Sequence, residues 1–223
     1  MTDKTPRILL YILRRDVRLS DNPIFHAASH QVKRPKSPRR SDRRNRGESL
    51  TSEHGGANFT HLLPVYVFPS NQIEISGFLS SPSDQSPYPE ARSQVAKVWR
   101  TGPHRAKFIA EGVWDLKTKL EGLGCGSGLE MRVGRIGDIV SSILAWYSQD
   151  RGNKGEITGV WMTDDDGTEE KNDEKIVRRI AEEHKVDFKV WNDEKYYIDE
   201  CVVLHLQRPE GNRANPVQSR FTL

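Results

Sequence analysis

The sequence predicts a doubly wound α/β domain, a five-stranded parallel sheet with helices on both faces. Three observations predict it. Short apolar runs alternate with amphipathic stretches of helical period along most of the chain. The first run, Ile8 to Leu13, is unbroken and carries branched and aromatic residues, as suits a strand buried on both faces. The runs end in the polar segments RRDVR, PSN, GRIGD, TDDDG and NDEKYYIDE, which this architecture gathers on one rim.

Each element has its own local cause. After the first strand, Ser20-Asp21-Asn22-Pro23 supplies a capping side chain and then a proline at the first helical position. A helix over 20–31 follows, with Ile24, Phe25, Ala27 and Ala28 on its apolar side. Residues 32–58 lose all periodicity and read as a disordered basic insertion. Order returns with the second strand, residues 61–68, in which Pro64 removes a backbone donor. Residues 76–98 are loop-like, and Gly102-Pro103-His104 then opens a helix with Ile109, Val113, Leu116 and Leu120 on one face. The glycine-rich stretch 122–128 follows a helix and precedes a strand. Phosphate-cradling loops run from strand to helix, so it reads as a helix stop and turn. Leu129 to Val133 is the third strand, and Ile136, Ile139, Val140, Ile143, Leu144 and Tyr147 form the next helical face. Ile157 to Met162 is the fourth strand. An acidic loop leads to a helix over 169–184, whose first acids Glu169 and Glu170 suit the helix dipole. Val186 to Trp191 is the fifth strand.

Charge is unevenly distributed. The chain of 223 residues is 35% hydrophobic and 29% charged, with a net charge of +3. Residues 33–46 alone contribute +7, so the remainder carries −4 and offers no general basic face for nucleic acid. The insertion itself has the composition of a nuclear-localisation patch, a nucleic-acid-attracting arm or a plain solvated loop. Cys125 and Cys201 make neither a disulfide framework nor a metal spacing, which predicts a reducing, intracellular setting. No apolar run reaches the roughly 20 residues of a bilayer span, so no membrane partner is expected. His26 and His30 lie four apart on the first helix, but no carboxylate pattern joins them, and they read as surface or packing residues. No metal site is expected. The predicted rim has no lysine-bearing phosphate loop and no evident nucleophile–base pair. From residues alone it is a small-molecule or domain-docking surface.

The stretch Ile12 to Asn22 resembles the photolyase/cryptochrome family, whose first strand ends in Trp-Phe-Arg-x-Asp-Leu-Arg-x-x-Asp-Asn. Arg14, Asp16, Arg18, Asp21 and Asn22 match, while Ile12, Leu13 and Val17 depart from the pattern. LLPVYVF at 62–68, GPHRAKF at 102–108, LEMRVG at 129–134, the EE-x-x-x-E helix from Glu169 and KYYIDE at 195–200 extend the resemblance. GPHRAKF and the proline-rich PYPEARSQV before it are most similar to fungal DASH cryptochromes. The resemblance covers about residues 7–200 apart from the insertion, and residues 201–223 read as a divergent, unstructured tail.

The resemblance implies a Rossmann-like N-terminal antenna domain. It implies that flavin adenine dinucleotide (FAD), the relay tryptophans and the DNA-lesion surface belong to a helical domain outside these 223 residues. The chain is therefore expected to be truncated and not catalytic alone, the family activity being light-driven cleavage of pyrimidine dimers. Specific DNA binding is not expected. The expected cofactor is an antenna methenyltetrahydrofolate, with Asp165 and Glu169 as its carboxylates after the fourth strand. Asp165 is one methylene shorter than glutamate and would reach a pterin through water. Arg14, Asp16, Arg18 and Asp21 are expected at the interface with the helical domain. The five tryptophans are expected to be packing residues. The expected compartment is nucleus, cytoplasm or an organelle. The alternative function is a protein- or nucleic-acid-interaction module that uses the α/β domain and the insertion.

Overall fold

The computed structural model describes residues 5–32, 58–74, 81, 83–149 and 155–192. They belong to one of the chain's two compact units, Met1–Asn192; the other, Asp193–Leu223, lies outside the described residues. The elements run β1 (Arg7–Leu13), α1 (Pro23–Val32), β2 (His61–Pro69), α2 (Pro103–Glu121), β3 (Glu130–Gly134), α3 (Ile136–Gln149), β4 (Glu156–Thr163), α4 (Thr168–Glu183) and β5 (Asp187–Trp191). The bulk of the predicted basic insertion, KYYIDE and the tail 201–223 fall outside the described residues.

All strand pairs are parallel, in the order β3-β2-β1-β4-β5. β1 is central, and Leu9 to Leu13 are almost wholly buried. Its side chains alternate between two cores. Leu9, Tyr11 and Leu13 pack with Ile24 and Ala28 of α1 and Val113, Leu116 and Leu120 of α2. Ile8, Leu10 and Ile12 pack with Val140 and Leu144 of α3 and Val177, Ile180 and Ala181 of α4. The helices thus cover both faces, and the strand order reverses between β1 and β4. That reversal opens a crevice at the carboxyl ends of the strands.

Pro64 fits because of the register. β2 pairs with β1 from His61 to Tyr66 but with β3 only from Val65 onward. The missing N–H falls where β2 has a strand neighbour on one side only. The glycine-rich stretch after α2 is a turn, with Gly124 and Gly126 at φ of 67° and 74°. GRIGD is less of a loop than its composition suggests, since α3 begins at Ile136. At the edges of the insertion, α1 reaches Val32, and Asn58 is tied down by a 2.8 Å hydrogen bond from Arg7.

Packing accounts for two of the five tryptophans. Trp161 is fully buried, with Phe59 and Trp191 rings 5.7 and 4.9 Å away. Trp99, Trp114 and Trp146 are instead 40–58% exposed.

Candidate functional site: a cleft at the carboxyl ends of the strands

A cleft of about 600 Å³ lies at the carboxyl ends of β1, β2 and β3. Its apolar walls include Val17 after β1, Ile73 after β2, Phe108 and Ile109 of α2, Ile136 of α3 and Ile176 of α4. Five arginines (Arg14, Arg15, Arg105, Arg135, Arg179) and three acids (Asp138, Glu170, Asp173) also line it. Close approach of the helices is part of its construction. Gly137 at the start of α3 leaves room for Ile176, because a β-carbon there would sit 2.6 Å from the Ile176 methyl group.

Arg14 forms the floor. It is the first residue after β1. Nη1 donates to the Glu170 carbonyl at 3.0 Å, and Nη2 donates to the Thr163 carbonyl. The side chain thereby ties the end of β1 to the end of β4 and the first turn of α4. Its Nε is buried and has no hydrogen-bond partner. Burial pulls the Arg14 pKa below its ordinary value, opposed by the charges of Asp165, Asp173, Glu170 and Glu174. Burial pushes the Asp173 carboxyl up, with Arg14 opposing and Glu170 and Glu169 adding to the rise. The cleft lining therefore includes a donor without a partner, Arg14 Nε, and an acid whose ionisation burial disfavours, Asp173.

Asp165 and Glu169 stand beside the cleft and are not among the residues lining it. Asp165 lies 3.6 Å from Arg15, which also pairs with Glu170. Both Glu169 oxygens accept from Arg100 at 2.7 Å, and Gln72 donates to one at 3.2 Å. The bond from Arg100 holds the Glu169 carboxyl below its ordinary pKa. Glu169 thus fastens the segment after β2 and the segment before α2 to α4.

The four residues expected at a domain interface divide into two settings. Arg14 is used internally, as described. Asp16 and Arg18 form a two-point pair at 2.8 and 3.0 Å. Asn22 joins it by donating to Asp16 at 3.1 Å and to the Tyr11 hydroxyl at 2.9 Å. The Asn22 side-chain oxygen accepts the Ile24 and Phe25 N–H groups, which makes it the cap of α1. Asp21 is exposed and takes a left-handed φ of 58°.

Sequence reasoning missed Glu170 and Asp173 as cleft residues. A signal was present. Glu170, Asp173, Val177 and Ile180 recur at helical spacing, so the apolar stripe of α4 continues N-terminally into two acids. Charged residues on a core-facing stripe mark a site more often than plain solubility.

Sheet order and helices on both faces define a domain of the doubly wound α/β class, with a cleft at the carboxyl ends of its strands, where this class usually places its sites. A family model for DNA photolyase matches residues 9–199, and the chain belongs to that family. It is 40% identical over 194 residues to a putative cryptochrome DASH of Gibberella zeae, covering 87% of this chain and 24% of that one. It is 41% identical over 192 residues to a putative mitochondrial cryptochrome DASH of Neurospora crassa, covering 86% of this chain and 22% of that one. The chain spans about a quarter of the length of these relatives. Among solved structures, a Synechocystis cryptochrome superposes with a TM-score of 0.56 at 15% identity, over 84% of this chain and 27% of that one, and shares the fold.

Proposed function

We propose that this domain binds a light-harvesting chromophore of the folate class in the cleft, as the antenna part of a cryptochrome DASH-like photoreceptor or light-driven DNA-repair protein. The family carries FAD and a second chromophore. FAD chemistry and DNA binding are read here as properties of whole relatives, of which this chain spans about a quarter.

One observation carries the reading: the apolar-walled cleft is lined by Arg14, whose buried Nε has no hydrogen-bond partner, and by Asp173, whose carboxyl pKa burial raises. A pterin ring presents acceptors and amino and ring N–H donors on one edge, which suits an arginine and an acid set side by side. A cleft of about 600 Å³ falls in the usual range for small-molecule sites. Bound there, the methenyl form would absorb near-ultraviolet light and pass on the excitation without reacting. Asp173 and Glu170 are the acids placed to meet it. Asp165 and Glu169 serve one step back: Asp165 holds Arg15, and Glu169 holds the segment carrying Gln72. In the turn after β1, the exposed Asp21 and the exposed Arg18, which pairs with Asp16, are the residues we assign to docking a further domain.

The test is titration of methenyltetrahydrofolate into the purified chain, followed by equilibrium dialysis and near-ultraviolet absorbance. Wild type is expected to saturate. Asp173→Asn changes the hydrogen bonds this side chain offers a pterin; one such bond is worth about 0.5–1.5 kcal/mol, so binding weakens about two- to tenfold. Asp165→Ala, acting through Arg15, weakens it less. No saturable binding by wild type, or equal binding by wild type and Asp173→Asn, overturns the reading.

A further inference from the structure

The geometry points to a transition-metal site on α1, formed by His26 and His30. Their Nε2 atoms lie 3.0 Å apart and their ring centroids 4.4 Å apart. Both residues are exposed. A spacing of four places them one turn apart on the same side of the helix. The opposite side is anchored, since Ile24, Ala27 and Ala28 are buried in the core. The pair therefore sits on a fixed backbone.

The separation suits a shared metal ion. With metal–nitrogen bonds of about 2.0–2.1 Å, two ligand atoms are about 2.9 Å apart at a right angle and about 3.4 Å apart at the tetrahedral angle. The two imidazoles come within that geometry with little movement. In the neutral pair one Nε2–H can donate to the other Nε2; binding requires both protons on Nδ1, so both Nε2 lone pairs face the ion. His30 is in the last turn of α1, where the helix dipole favours a cation, against the charges of Lys33 and Arg34 that follow in sequence.

The chemistry also selects the ion. α1 contains no carboxylate, and Lys33 and Arg34 follow it directly in sequence. Hard cations that need several oxygen ligands, such as Ca²⁺ or Mg²⁺, have nothing to hold them here. Imidazole donors instead suit Zn²⁺, Ni²⁺ and Cu²⁺. No group of three or more metal-ligating side chains occurs among the described residues. The site is a two-nitrogen chelate completed by water. Occupied, it clips together the last two turns of α1, where the chain leaves for the basic segment.

The test is calorimetric titration of Zn²⁺ and of Ni²⁺ into the full chain carrying no polyhistidine tag, repeated with His26→Gln and His30→Gln. Circular dichroism checks that the variants stay folded, as the exposure of both residues leads one to expect. One saturable site is expected in wild type. Either substitution alone should weaken it about tenfold or more, and Ni²⁺ should broaden amide resonances of α1. Binding that survives both substitutions belongs to other histidines and overturns the assignment. So does the lack of saturable binding at submillimolar metal, which would leave only a hydrogen-bonded pair.

Discussion

Replacing Asn22 by alanine probes the joint between β1 and α1 more sharply than any other single change. Asn22 is 1% exposed and makes four hydrogen bonds from one short side chain. Its oxygen caps α1, and losing such a cap costs about 1 kcal/mol. Its amide donates to the Tyr11 hydroxyl, a neutral bond worth about 1 kcal/mol, and to the Asp16 carboxylate, a charged one worth about 1.5 kcal/mol or more. Water can replace part of this, so the net cost is about 2–4 kcal/mol, a large share of the roughly 5–15 kcal/mol that stabilises a typical domain. Urea unfolding followed by circular dichroism measures it. With a slope of about 2 kcal/mol per molar, the midpoint should fall by about 1–2 M. Two further variants apportion the loss. Asn22→Ser keeps a capping oxygen and should cost distinctly less. Asn22→Asp keeps the cap but sets a second carboxylate against Asp16, so it should cost more than Asn22→Ser. A cost below about 0.5 kcal/mol for Asn22→Ala, or equal costs for alanine and serine, would refute the reasoning.

Three other changes test neighbouring parts of the structure. Gly137→Ala drives a β-carbon to 2.6 Å from the Ile176 methyl and should cost about 1–2 kcal/mol in urea unfolding; an unchanged midpoint would show that α4 yields freely. Arg100→Ala removes the partner that holds the Glu169 pKa down. Stability from a depressed carboxyl exists above its ordinary value near 4.5 and is lost as pH falls through the folded value. The variant should therefore lose a few tenths of a kcal/mol at neutral pH, as exposed pairs do, and match wild type in acid. Asp173→Asn has the opposite sign. A carboxyl raised by burial is deprotonated first in the unfolded chain, so stability falls as pH rises from the ordinary value near 3.8 through the folded one. The variant should unfold at higher urea than wild type at pH 7, with the gap closing towards pH 3; a less stable variant at pH 7 would contradict the burial argument.

Legibility in the sequence followed periodicity. β1 was readable because six consecutive apolar residues leave no other placement, and all six are buried. α2 was readable from Gly102-Pro103 at its start and from Val113, Leu116 and Leu120, all buried. The capped start of α1 was readable from Asn22-Pro23, which the structure bears out bond by bond. Element ends were less readable. Ile136 to Asp138 carry glycine and aspartate, residues of turns, yet belong to α3 because Ile136 and Gly137 are buried under the sheet's end. Burial of that end is a tertiary fact with no local signature.

The cleft was harder to read, and the reason lies in how charge is spent. The motif resemblance directs attention to the acids around the β4–α4 loop, where Asp164, Asp165, Asp166, Glu169 and Glu170 lie close in sequence. Among these acids, Asp164 pairs with Lys171, Asp165 and Glu170 with Arg15, and Glu169 with Arg100. Two of those cations come from segments about 70 and 150 residues earlier in the chain, so no local reading could assign the pairs. Asp173 differs because its main charged neighbour, Arg14, is already committed to two carbonyls and is itself held down by burial. An acid that folding makes costly to ionise, beside a cation with one nitrogen left over, is a poor arrangement for stability alone. It is a good one for receiving a ligand that supplies the missing donor and acceptor. On this argument Asp173→Asn should divide the two roles, strengthening the fold while weakening the site. Stabilisation together with intact folate binding would show that the acid serves neither purpose.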